Sequence, residues 1–153
     1  MSAVQEFTAE LVVGRRENAA DGVVALDLVD PAGADLPAWE PGAHIDLMLD
    51  EGLVRQYSLC GDPSESGAWR VGVLLDPNTR GGSRHVHEQL REGATIRVRG
   101  PRNNFQLVDS PKYLFIAGGI GITPMKAMVE SAERAGLDWT MIYLGRTRST
   151  MAF

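Results

Sequence analysis

A single cysteine, Cys60, in 153 residues excludes an internal disulfide framework and leaves no thiolate set for a four-cysteine zinc or iron–sulfur site within these residues. No apolar run approaches the roughly 18 residues of a membrane-spanning helix. The opening stretch MSAVQEFTAEL does not have the charged-then-apolar order of a secretory signal. The expectation is therefore a cytoplasmic protein with no membrane partner. Positive charge is also in short supply, with 15 Lys and Arg against 20 Asp and Glu and a net charge of −5. A general nucleic-acid binder needs a basic face to displace counterions from phosphates, so no nucleic-acid partner is expected. Internal repeats and low-complexity segments are missing. What remains, 44% hydrophobic and 23% charged residues, describes an ordinary globular chain with one sizeable core.

Period-two alternation marks six strands, over residues 7–16, 22–30, 42–50, 53–59, 69–75 and 94–100. Segments rich in Gly, Pro, Asp and Asn separate them, at 17–22, 30–42, 50–52 and 61–67. Six short strands at this spacing predict a six-stranded antiparallel β-barrel of Greek-key type in preference to a sandwich. Between the fifth and sixth strands, GGSRHVHEQLREG predicts a short helix capped by Ser83 that turns Val86 and Leu90 towards the core.

From Pro111 the pattern changes to an apolar strand, a glycine turn, an amphipathic helix and a second apolar strand, which is one βαβ unit. Thr123 is the expected N-cap with Pro124 at the first helical position, Met125, Met128, Val129 and Ala132 the buried stripe, and Gly136 the stop. The chain thus divides into a barrel over residues 1–105 and an α/β portion over residues 106–153.

Two stretches carry chemistry. In AGGIGITPM, Gly118, Gly119 and Gly121 let backbone amides approach a ligand just before a helix N-terminus that favours negative charge, as a dinucleotide pyrophosphate requires. A tight strand-to-helix connection explains the same glycines. In NTRGGS, Arg80, Gly81, Gly82 and Ser83 supply a cation, two flexible amides and a hydroxyl, the parts of a phosphate cradle; a solvated loop leading into a capped helix is the plainer alternative.

Taken in order, RQYSL, RGGS, GPRNNF and AGGIGITPM, with WEPGAHIDL as a fifth, closely resemble the phthalate dioxygenase reductase and vanillate demethylase reductase group of the ferredoxin–NADP reductase-like superfamily. The resemblance implies a flavin on the barrel and a nicotinamide dinucleotide, NADH or NADPH, on the α/β portion. It implies that Tyr57 packs beside the flavin, that Ser58 directs its hydroxyl to the ring nitrogen that accepts hydride, and that Arg55 pairs with the flavin phosphate. Gly118, Gly119, Gly121, Thr123 and Arg146 would meet the dinucleotide, with Ser58 and Thr123 near the reacting edges. Arg102, Asn103 and Asn104, together with Arg55 and the RGGS cradle, favour FMN over FAD, and Phe105 is expected to pack at the junction of the two portions. Electrons would pass from reduced nicotinamide through FMN to an iron–sulfur centre and on to the oxygenase component of a Rieske-type oxygenase or demethylase.

Members of that group continue into the rest of the nicotinamide domain and a plant-type ferredoxin domain. The expectation is accordingly that the α/β portion is incomplete and that the [2Fe–2S] ligands belong to sequence beyond it. Flavin should then bind while reduction by NADH is poor. One crossover helix cannot cover both faces of a parallel strand pair, so a second copy of the chain covering the bare face, a dimer, is the alternative. A non-catalytic flavin subunit that depends on another chain for its electron donor is the second function class, and a ligand-free interaction module the third. No metal site is expected from His44, His85 or His87, none of which has a partner at ligand spacing.

Overall fold

The computed structural model describes residues 5–78 and 80–153; Thr79 of the NTRGGS stretch and the first four residues of the expected barrel lie outside them. The six alternating segments form β1 (Thr8–Ala20), β2 (Val23–Val29), β3 (His44–Met48), β4 (Val54–Ser58), β5 (Trp69–Leu74) and β6 (Thr95–Arg102). They make one antiparallel sheet in the order β4-β3-β6-β1-β2-β5. A bridge between Leu59 and Val71, with the Cys60 amide donating to the Arg70 carbonyl at 2.9 Å, joins the two edge strands and closes the sheet into a barrel. Alternate residues, among them Leu11, Leu26, Ile45, Leu47, Val71 and Val98, fill its interior. β1 is longer than its alternation suggests. It runs on to Ala20 and leaves only Asp21 and Gly22 for the hairpin turn expected over residues 17–22, with two register shifts that coil it between its neighbours.

Helix α1 (Gly82–Gln89) follows β5 and does send Val86 and Leu90 into the barrel core. Its start differs from the expectation. Gly81, at φ 100°, takes the N-cap position, and Ser83 lies inside the helix, where its Oγ accepts from the Asp76 amide at 3.1 Å. The hydroxyl of this largely buried residue serves the preceding loop, holding Asp76 instead of capping the helix.

The second sheet is the parallel pair β7 (Lys112–Gly118) and β8 (Asp138–Leu144), connected by a 3-10 turn (Gly119–Gly121) and α2 (Ile122–Arg134). Here the cap expectation is also corrected. Gly121 is the N-cap, Thr123 is the second helical residue and Pro124 the third; the Thr123 hydroxyl donates to the Ile120 carbonyl at 3.0 Å. Gly136 does end the helix, its amide bonded to the Glu133 carbonyl. Met128 and Ala132 are buried against β7 and β8 while Met125 and Val129 are half-buried. Ala127, outside the expected stripe, is fully buried in the barrel core. The helix has two apolar faces because it is wedged between its own sheet and the barrel.

The other face of that sheet is bare, as one crossover helix requires. Phe115 and Ala117 are covered, whereas Leu114, Ile116, Ile142 and Leu144 are 61%, 56%, 44% and 60% exposed. Among the described residues no helix is long and apolar enough to cross a membrane.

One buried charge stands out in the barrel wall. Asp46 on β3 is fully buried and accepts from Arg102 Nη2 at 2.6 Å and from Arg99 Nη2 and Nε at 2.7 and 2.9 Å, and Glu6 takes a further Arg102 bond. Burial pushes this carboxyl up, but the hydrogen bonds from Arg102 and Arg99 outweigh it and hold the group below the ordinary carboxylate range. A depressed folded-state value contributes stability that is present above the unfolded pKa, near 4, and lost as pH falls through the folded one. Asp46→Asn should lower stability at neutral pH by about 1–3 kcal/mol, the arginines being partly solvated. Melting temperatures recorded against pH for both proteins should draw together as pH falls below the ordinary carboxylate range; a constant difference across the range would show that the Asp46 charge is not the cause.

Candidate functional site

Closure of the barrel sets β4 beside β5, and that pairing builds one wall of a cleft of about 850 Å³. Gln56, Tyr57 and Ser58 line it from β4, Gly72 and Leu74 from β5. The opposite wall comes from the glycine turn and the first turn of α2, through Gly119, Ile120, Gly121, Thr123 and Pro124, with Gly145, Arg146 and Thr150 beyond β8. A recess lined by Arg55, Arg80 and Ser83 opens from one end and shares Tyr57, Leu74, Asp76 and Asn78 with the cleft. A smaller recess at Gln56 and Ser58 is bounded by Gly42, His44, Asn104 and Phe105. The fold therefore brings Arg55, Tyr57, Ser58, Arg80, Ser83, Gly119, Gly121, Thr123 and Arg146 onto one continuous surface. Gly118 ends β7 and is not among the lining residues.

Two barrel glycines beside this surface, Gly82 and Gly72, permit close approach. A Cβ on Gly82 would lie 2.7 Å from Arg55 Cγ and 2.8 Å from Nε, so Arg55 is laid directly across the start of α1. A Cβ on Gly72 would lie 3.0 Å from the Thr123 methyl and 3.1 Å from the Phe153 ring, which is how near the α/β portion comes to β5.

The polar groups facing the cleft are largely unspent. Neither the Ser58 nor the Tyr57 hydroxyl has a hydrogen-bond partner among the described residues, and burial raises the Tyr57 phenol above its ordinary pKa against the opposing effect of Arg55. It remains a neutral donor across the physiological range. Arg55 donates to the Val54 carbonyl at 2.8 Å, and among the described residues neither Arg55 nor Arg80 has an ion pair. Asp76 is the carboxylate of that recess, and it accepts from the Asn78 amide at 2.9 Å. Two cations thus flank the N-terminus of α1, a place suited to an anion.

Other residues singled out in the sequence are committed elsewhere. Arg102 is held in the Asp46 network, and Asn103 Nδ2 donates to the Pro41 carbonyl at 3.1 Å. Phe105 borders the smaller recess, is 49% exposed, and belongs to neither apolar cluster among the described residues. His87 Nε2 is 2.8 Å from the Val73 carbonyl and His85 lies 3.9 Å from Asp50. Among the described residues no group of His, Cys, Asp and Glu could hold a metal ion. Cys60, next to the RQYSL strand, is fully buried, and burial pushes its thiol up to about 12. The strand alternation alone did not single out Gln56, Gly72, Leu74, Asp76 or Asn78; the Gly inside the fifth strand was a usable signal, since strand glycines mark close approach.

No family model matches the chain. It is 48% identical over 130 residues to the phenoxybenzoate dioxygenase subunit beta of Ectopseudomonas oleovorans, covering 84% of this chain and 41% of that protein. It is 44% identical over 144 residues to the vanillate O-demethylase oxidoreductase of Pseudomonas putida, covering 94% and 45%. Among solved structures, phthalate dioxygenase reductase, a modular structure for electron transfer from pyridine nucleotides to [2Fe–2S], superposes with a TM-score of 0.91 at 36% identity, over 95% of this chain and 46% of that one. The chain spans less than half the length of these relatives. Over that span the shared sequence, the closed barrel and the βαβ unit agree: the chain is a homologue, over part of their length, of phthalate dioxygenase reductase and the vanillate O-demethylase oxidoreductases, with the fold of the ferredoxin–NADP reductase-like superfamily.

Proposed function

We propose that this chain is the flavin-binding part, with the first βαβ unit of the nucleotide-binding part, of an NAD(P)H-dependent reductase that feeds an oxygenase component through an iron–sulfur centre. The observation that carries this is the cleft itself, with an unspent serine and an unspent tyrosine on the barrel wall facing a glycine turn at a helix N-terminus. The residues fit a flavin mononucleotide. Arg55, Arg80 and the first turn of α1 suit its phosphate, Tyr57 and Leu74 its ribityl chain and ring, and Ser58 the polar edge of that ring. Support for FMN over FAD rests on the two cations at α1, because Arg102 is committed to Asp46 and Asn103 to the Pro41 carbonyl.

A flavin bound there would supply the conversion of one two-electron donation into single-electron transfers. The chain's own work is placement. Gly119, Gly121 and the first turn of α2 offer amides to a dinucleotide pyrophosphate, with Arg146 at the rim as a cation for the same ligand. Thr123 has its hydroxyl on the Ile120 carbonyl, and its methyl against Gly72 sets the spacing of the two walls. Ser58 would offer a hydrogen-bond donor to the ring nitrogen that accepts hydride. The bare face of β7 and β8 is an apolar surface through which two copies can associate, since the exposed Leu114, Ile116, Ile142 and Leu144 are contiguous.

The purified protein should be yellow, and mass analysis of the heat-released chromophore should find FMN; FAD would overturn the phosphate assignment. Arg55→Ala should weaken FMN binding by about 1.5–3 kcal/mol and leave riboflavin binding nearly unchanged, as expected for a charge-assisted phosphate contact. Equal losses for the two ligands would remove Arg55 from that role. Ser58→Ala should retain flavin yet slow its bleaching by excess NADH, already slow in this chain, by a further factor of roughly 10 to 100 in stopped-flow measurements, the loss of one hydrogen bond made at the reacting edge. An unchanged rate would leave Ser58 as a strand residue and no more.

A further inference from the structure

The phosphate end of the cleft depends on a helix that is too short to stand alone. α1 has eight residues, about two turns, and isolated helices of that length are not stable in water. The Val86 carbonyl accepts the Leu90 amide at 3.2 Å, but the carbonyls after it have no partner inside the helix, and a frayed C-terminus would unwind towards the N-terminus that faces the cleft. Those carbonyls are taken by a residue 70 positions earlier. Arg16 on β1 donates from Nη1 to the Val86 carbonyl at 3.1 Å and the Leu90 carbonyl at 2.8 Å, and from Nη2 to the His87 carbonyl at 2.8 Å. Its own amide donates to Glu92 Oε1 at 3.0 Å, and the segment after the helix is stitched to β1 by Gly93 to Val13 and Val13 to Ala94 bonds of 2.8 and 2.9 Å.

A guanidinium suits this place for two reasons. Its planar fork reaches three carbonyls that a single ammonium could not satisfy together, and a cation is favoured at the negative end of the helix dipole. The tether acts at the far end of the helix from Arg55 and Gly82, so Arg16 touches nothing in the cleft. Val86 and Leu90 in the core and the His87–Val73 contact seat the helix on the barrel, and Arg16 adds the hold on its C-terminal carbonyls that keeps its N-terminus at one setting relative to Arg55 and Arg80.

We propose that Arg16 is a positioning residue for the phosphate of the bound flavin, acting through α1; this rests on the assignment of the α1 N-terminus as the phosphate cradle. The consequence is selective. Loosening α1 should cost the ligand its phosphate contacts and spare those made by Tyr57, Ser58 and Leu74, which stand on β4 and β5.

The test is fluorescence-quench titration of the flavin-stripped protein with FMN and with riboflavin, for the wild type, Arg16→Met and Arg16→Lys. Wild type should prefer FMN. Arg16→Met should weaken FMN roughly tenfold or more and riboflavin by less than about threefold, with Arg16→Lys between, since an ammonium can still hold one carbonyl. A folded Arg16→Met with an unchanged FMN-to-riboflavin ratio, or with equal losses for both, overturns the proposal and makes Arg16 a structural cap only. Should Arg16→Met fail to fold, the same ratio in Arg16→Lys decides between those outcomes. A wild type that binds FMN and riboflavin alike would instead refute the cradle, and this inference with it.

Discussion

Barrel closure between β4 and β5 is the constraint on which the other features depend. The Leu59–Val71 bridge and the Cys60–Arg70 bond bring together two strands that are neighbours in sequence but would otherwise be opposite edges of an open sheet. Closure removes exposed edges and, in the same act, sets Arg55, Tyr57 and Ser58 beside Gly72 and Leu74. A strand residue has no fixed neighbours on its own; here the neighbour is chosen by the shear of the barrel. The cleft is thus a property of the barrel's closure before it is a property of any side chain.

The second wall is set by burial, not by charge. Ala127 of α2 is fully buried in the barrel core and the Thr123 methyl meets Gly72, so the helix is packed to the barrel at van der Waals distance. The ion pair between Arg134 and Asp62 at 3.2 Å spans the same junction, but both groups are about half exposed, and such pairs contribute little. Packed cores shift between discrete arrangements and do not deform smoothly, which makes the width of the cleft a defined quantity and lets a glycine at position 72 help set it.

The strands were legible because their alternation has a period of two, and α2 was legible because its apolar residues recur at helical spacing. Both helix starts were misassigned for one reason. Ser83 and Thr123 are strong capping types, but each is buried at its site and spends its hydroxyl on a nearer backbone group, Asp76 N or Ile120 O. Burial is a tertiary fact that no local pattern carries. The same holds for Ala127, whose partners lie in the barrel, and for Arg102 and Asn103, which looked like ligand contacts but serve the barrel wall. Arg55, Tyr57 and Ser58 were found through motif order; that they share a wall with Gly72 and Leu74 depended on the pairing of β4 with β5, which alternation does not specify.

The buried thiol has a practical side. Cys60 is the one cysteine of the chain, has no exposed surface and is held protonated to about pH 12, whereas thiol reagents attack the thiolate. The folded chain is therefore blank to maleimides and alkylating probes. A cysteine introduced at the exposed Gln56, on the rim shared by the cleft and the smaller recess, would be singly addressable, and a spin label or fluorophore attached there would report on cleft occupancy without any need to remove the native cysteine.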